Sequence, residues 1–127
     1  MTIDLSEILP KDKIETSKAE RLVALGYPAV ESVLPEMLEW MKDFNWPVAQ
    51  VFQPFLVKIG EPLAPYLKNI FYTDDSIWKY WILQCIVKES PGLSKILKPE
   101  LERLANDPTV EEKNEELNLL AKRILEK

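Results

Sequence analysis

Apolar residues recur at intervals of three and four along most of the chain, the spacing that gathers them on one face of a helix, and no convincing strand-like alternation interrupts them. The clearest run covers residues 28–42, where Val30, Val33, Leu34, Met37, Leu38 and Met41 make one stripe and Pro35 inside it predicts a bend. A helix before it opens at Ser17, which stands at capping-box spacing from Glu20, and ends near Gly26. Further helices are predicted over residues 47–59, 62–72, 76–89, 93–105 and 109–126. Ten prolines are many for a helical chain. Yet Pro28, Pro47, Pro62 and Pro91 each follow a boundary and suit a first helical turn, where a missing N–H has no bond to lose. The last segment opens with a second capping box, Thr109 to Glu112. It sets Val110, Leu117, Leu120, Ala121 and Ile124 on one stripe against a Glu/Lys face, the pattern of a terminal capping helix.

The elements repeat. Leu22-Val23-Ala24-Leu25-Gly26 returns as Leu56-Val57-Lys58-Ile59-Gly60 and, more loosely, as Ile86-Val87-Lys88-Glu89-Ser90, at offsets of 34 and 30 residues, with a proline within two residues of each copy. Asp43, Asp75 and Asp107 follow at intervals of 32 residues, and Trp46 and Trp78 each stand three residues beyond their aspartate. Each unit therefore reads as helix A, an Asp-containing turn, and helix B. One such pair cannot bury both faces of its apolar stripe, so neighbouring pairs must stack. The expected fold is all-α: an α-α superhelix of about three helix pairs with a C-terminal capping helix, in a single domain over residues 1–127.

The pattern resembles HEAT-like repeats, whose A helix often carries a proline bend, as Pro35 and Pro99 would here. Asp75-Ser76-Ile77-Trp78-Lys79-Tyr80-Trp81 is similar to the turn and helix start of the short HEAT variety. Over nearly its whole length the chain resembles a bacterial family designated domain of unknown function 5071. The likeness rests on Leu9-Pro10-Lys11-Asp12-Lys13, Leu25-Gly26-Tyr27-Pro28-Ala29, Asn45-Trp46-Pro47-Val48-Ala49-Gln50, Gly60-Glu61-Pro62-Leu63 and Trp78-Lys79-Tyr80-Trp81-Ile82-Leu83. It implies a fold and brings no established activity and no catalytic residues.

Composition narrows the chemistry. With 46% apolar and 29% charged residues the 127-residue chain has enough hydrophobicity for its own core. The lone Cys85 excludes an internal disulfide and a Cys-based zinc cage, and its place in an apolar run marks it as an inert core thiol; only Lys79 or Lys88 could activate it. Histidine is absent, which removes His-dependent triads and His metal sites. No cofactor, no metal and no enzymatic activity are expected. The net charge of −5 gives no basic stripe for phosphates, so a nucleic-acid partner is not expected. The start lacks a secretory pattern, and the longest uncharged stretch, residues 44–57, is too short and too polar to span a bilayer. A cytoplasmic protein without a membrane role is expected, and its oligomeric state is open.

The expected function is a protein-binding module that presents its B-helix face, with Trp46, Gln50, Gln53, Trp78, Lys79 and Trp81 as candidate contacts. Tryptophans can anchor a partner. They can also seal the packing between repeats, the reading favoured here, with Trp46 and Trp78 brought near one another. Asp43, Asp75 and Asp107 could form an acidic row, but helix capping or turn formation is the more ordinary role. Glu111, Glu112, Glu115 and Glu116 read as a solvated face near a helix start, and Lys79 as surface packing between Trp78 and Tyr80. Two other functions stay open: an immunity-type or regulatory protein neutralising a basic partner, and a DNA-processing enzyme. HEAT-like DNA glycosylases share the Trp and Asp types, although this chain lacks their basic groove.

Overall fold

The computed structural model describes residues 4–127. Among these there are α-helices and no strands: α1 (Thr16–Leu25), α2 (Leu34–Glu39), α3 (Pro47–Ile59), α4 (Ala64–Phe71), α5 (Ser76–Ile82), α6 (Pro91–Ile96), α7 (Lys98–Asn106), α8 (Val110–Asn114) and α9 (Leu117–Leu125). Short 3-10 turns cover Leu5–Ile8, Glu31–Val33, Trp40–Lys42 and Glu61–Leu63, and a π-helical turn, Leu83–Val87, continues α5.

Prolines act differently from the expectation at residues 35 and 99. Neither bends a continuous helix. Each is the second residue of a new one: Pro35 in α2 and Pro99 in α7, and Pro65, which the sequence reading passed over, does the same in α4. A proline within a helix removes an N–H and crowds the carbonyl four residues back, whereas in the first turn neither cost arises. The chain therefore makes a short turn (Glu31–Val33, Glu61–Leu63, or the brief α6) and restarts at the proline, the same way in all three units. Pro54 is the exception, lying inside α3.

Helix ends show which local signals were obeyed. Gly26 and Gly60 both take positive φ, 76° and 69°, and donate their N–H groups back to Val23 and Leu56. That left-handed region is open to glycine without a Cβ penalty. The capping box expected from Ser17 to Glu20 does not form, because α1 begins a residue earlier, at Thr16. Glu15 flanks the start and instead accepts the Lys11 N–H. The second box does form: Glu112 N–H donates to Thr109 Oγ1 at 3.2 Å, and Thr109 N–H to Glu112 Oε1 at 2.8 Å. The final helix is not continuous, since Glu116 adopts a left-handed conformation with φ 59° and divides α8 from α9. Val110 falls outside the expected stripe and is 73% exposed, while Leu117, Leu120, Ala121 and Ile124 are buried as predicted.

Packing follows the order of the chain. α1 lies on α3, α3 on the π turn after α5, and α9 on both α5 and that turn. From the other side the Trp40–Lys42 turn packs on α3 and α5, α4 on α5, α6 on the π turn, and α7 along α9. Every member of the stripe Val30, Val33, Leu34, Met37, Leu38 and Met41 is buried, and one apolar cluster runs from Ile8 to Ile124. The π turn frees a carbonyl from the ordinary ladder, and Gln53 of α3 satisfies it, donating its side-chain amide to Cys85 O at 2.8 Å.

Phe52 of α3 has no exposed surface. Phe52→Ala is expected to cost about 3–5 kcal/mol, the transfer term plus a cavity that rigid neighbours cannot close. Urea unfolding checks it, and a loss below about 1 kcal/mol would mean that the α3 packing described here is wrong.

Candidate functional site

The expected contact residues fall mostly into internal roles. Trp78 is half-buried; its indole N–H donates to Leu38 O at 2.9 Å, and Lys42 Nζ stands 4.7 Å from its ring centre. Trp46 packs edge-on against Trp40 at 5.8 Å between ring centres, and Trp81 lies between Phe44 and Tyr80 at 6.0 and 5.0 Å. Among the described residues the Trp46 and Trp78 rings are not paired, so the expected meeting of the two does not occur. Gln53 is engaged at the π turn, and Gln50 is exposed on α3 with its amide donating to Phe44 O at 3.2 Å. Of the six, Gln50 alone is an exposed side chain.

Lys79 departs furthest from the sequence reading. It is 4% exposed rather than a surface residue, because it lies on the inner face of α5 in step with Ser76, Ile82 and Ile86. Its ammonium donates to Glu112 Oε2 at 2.8 Å. Glu112, expected on a solvated face, has no exposed surface at all. Arg103 of α7 grips the same carboxylate through two bonds, Nη1 to Oε1 at 3.0 Å and Nη2 to Oε2 at 2.7 Å. With the Thr109 N–H on Oε1, each carboxylate oxygen accepts two donors. A carboxylate has about four lone-pair positions, so none remains for a substrate. The cluster fastens α5, α7 and α8 together and has no free atom for chemistry.

Electrostatics agree with that role. Burial alone would raise the Glu112 carboxyl, but the bonds from Arg103, Lys79 and the Thr109 N–H outweigh it and hold the group down at about 2. Arg103 is pushed up from its ordinary value by its bonds to Glu112. Cys85 is buried and pushed up to about 11, first by desolvation and then by Glu89, against the opposing pull of Lys88. A thiol so placed carries almost no thiolate at neutral pH and is a poor nucleophile. The aspartates of the repeat serve local turns in two of three cases. Asp75 caps α5 through the Trp78 N–H, Asp43 accepts the Asn45 N–H, and Asp107 leaves the capping of α8 to Thr109. Among the described residues no three His, Cys, Asp or Glu side chains gather in a way that could hold a metal ion, and no helix is long and apolar enough to cross a membrane.

What the surface offers instead is a set of clefts between helices. The most apolar opens between α1 and α3, with a volume of about 740 Å³, lined by Val23, Tyr27, Val51, Pro54, Phe55 and Ile59 and edged by Lys58. Tyr27 is 40% exposed and the neighbouring Leu25 36%. Pro54 has no N–H to offer the Gln50 carbonyl one turn back, and its ring lines this groove. A smaller groove places the edge-on Trp40 and Trp46 pair beside Leu9 and Pro10. The α1/α3 groove is not apparent from the sequence, although Val23, Val51, Phe55 and Ile59 are apolar positions flanking the most buried stripe.

The model of the family described as Domain of unknown function (DUF5071) matches residues 8–125. The chain belongs to that family. A search of curated proteins finds no match, so DUF5071 membership places the chain without assigning an activity.

Glu112→Gln should cost about 3–5 kcal/mol, because it leaves the Lys79 ammonium buried without a counter-charge. Lys79→Met should cost less, since Arg103 still neutralises Glu112. Glu112 ionises more readily folded than unfolded, so its stabilisation is full above its ordinary value of 4.5 and is lost as pH falls toward about 2. That window carries on the order of 3 kcal/mol. Denaturant unfolding between pH 6 and pH 2 checks both points; an equal acid-limb loss in wild type and Glu112→Gln would overturn the assignment.

Proposed function

We propose that the protein is a non-enzymatic protein-interaction module whose stacked, HEAT-like helix pairs offer the groove between α1 and α3 to a partner's apolar helix. The repeat reading is supported by the three proline-started helices and by Gly26 and Gly60, which close equivalent turns with positive φ. The absence of histidine and the desolvated Cys85 support a role without covalent or acid–base chemistry.

The groove itself carries the proposal. Its six apolar lining residues come from two consecutive units, and it is long enough in the α3 direction to take side chains one helical turn apart, from Val51 to Phe55 and Ile59. Such i, i+4 steps match the way an amphipathic helix presents its anchors. An exposed Tyr at the rim adds area at little entropic cost, and the −5 charge of the chain favours a partner with basic flanks.

A photo-crosslinking phenylalanine analogue at Tyr27, introduced in the source cell, tests the proposal. One protein should be captured stoichiometrically, and Pro54→Glu, which puts a charge into the groove at an exposed position, should abolish the capture. No captured protein, or capture unaffected by Pro54→Glu, would refute this function.

A further inference from the structure

A second cleft differs from the first in its chemistry. It lies where the end of α3, the Glu61–Leu63 turn, the end of the π turn and the start of α6 meet, with a volume of about 670 Å³. Lys58, Lys88, Lys95 and Lys127 line it, together with Ser90 and Ser94. In a chain of net charge −5 this is a concentration of positive charge. Among the described residues none of the four lysines has a carboxylate within 4.0 Å; the ion pairs of the molecule involve Lys18, Lys79 and Arg103. Glu61 is the one acid lining the cleft, and its side chain lies across Gly92, where a Cβ would stand 2.9 Å from Glu61 Cγ.

Ser90 adds a hydroxyl to the wall of the cleft. It is 9% exposed, it lines the cleft, and among the described residues its hydroxyl has no hydrogen-bond partner. A serine preceding a helix ordinarily accepts an N–H from the first turn. Ser90 does not, although it occupies that place before α6. Its oxygen still reaches solvent, so the hydroxyl is free to donate to a group entering the cleft. Gly60 stands beside it, and a Cβ there would make an ordinary van der Waals contact with Ser90 Oγ at 3.6 Å.

We infer that this cleft binds a small anion bearing phosphate, with Lys58, Lys88 and Lys95 neutralising it and the Ser90 hydroxyl donating to a phosphate oxygen. Lysine serves phosphate as a compact charge that adapts its direction, and a cleft of this size suits a small molecule. The site is separate from the apolar groove in its chemistry, and Lys58 stands at the edge of both.

Pyrophosphate is the probe, titrated into the full chain at constant ionic strength and followed by calorimetry and by amide chemical shifts. Saturable binding is expected, with shifts centred on Gly60, Ser90 and Gly92. The double variant Lys58→Gln/Lys88→Gln should weaken it by more than about tenfold, as should Ser90→Ala, because each removes a bond to a charged group. Lys18→Gln on α1, outside the cleft, should leave it unchanged. The amide spectra also report whether each variant is folded. Absence of saturable binding, shifts centred elsewhere, or a folded double variant that binds as tightly as wild type would each overturn the proposal.

Discussion

No helix among the described residues is longer than the 13 residues of α3, and several have five or six. A helix shorter than about 12–15 residues is marginal in water, since nucleation fixes several torsions for each first bond. Every element here therefore depends on the shared core for its existence. The shortness is itself imposed locally: Pro35, Pro65 and Pro99 restart the chain, and Glu116 turns it through a left-handed conformation. Each break lets the next segment reorient its apolar stripe toward the same cluster from Ile8 to Ile124. Cooperativity follows, because no helix can keep its conformation once its neighbours have left.

At the C-terminal end that logic changes. α8 contributes little apolar surface, as Val110 points to solvent, and its buried side chain is Glu112. Apolar side chains of similar volume could hold such a contact at equal or lower cost. Directionality distinguishes the ionic version. Four bonds converge on one carboxylate from α5, α7 and the Thr109 cap, which fixes the place and angle of α8 just before the chain turns into α9. A five-residue helix has too few side chains to define that angle by packing alone.

The sequence made the helical class legible because stripes such as Val30 to Met41 and Leu117 to Ile124 have a period that only a helix satisfies. It made helix starts legible where one cap dominates, as at Thr109, and ends legible where glycine dominates, as at Gly26 and Gly60. It misled at Ser17, where α1 starts a residue earlier without a side-chain cap, and at Pro35 and Pro99, where a bend and a restart have the same signature in one dimension. The α1/α3 groove stayed hidden for a different reason, being a gap between elements rather than a property of any residue. Lys79 was readable in principle: it falls in register with Ser76, Ile82 and Ile86, and a lysine on a buried face requires a counter-charge. Choosing Glu112 among the acids still needed the three-dimensional path of α8.

The candidate tryptophans make bonds and ring contacts within the molecule, and packing is left incomplete elsewhere as well. Two of the clefts lie at the repeated turn. Gly26 lines the apolar groove, and Gly60 and Ser90 line the basic cleft. Where the first two copies of the turn use glycine at φ 76° and 69°, the third uses Ser90 at φ −127°, an extended conformation open to any residue. That substitution removes a positive φ and puts a hydroxyl on the cleft wall beside Gly60. A perfect repeat would present the same gap at each turn; here the third copy adds a hydroxyl, while Lys58, Lys88, Lys95 and Lys127 give the second cleft its charge.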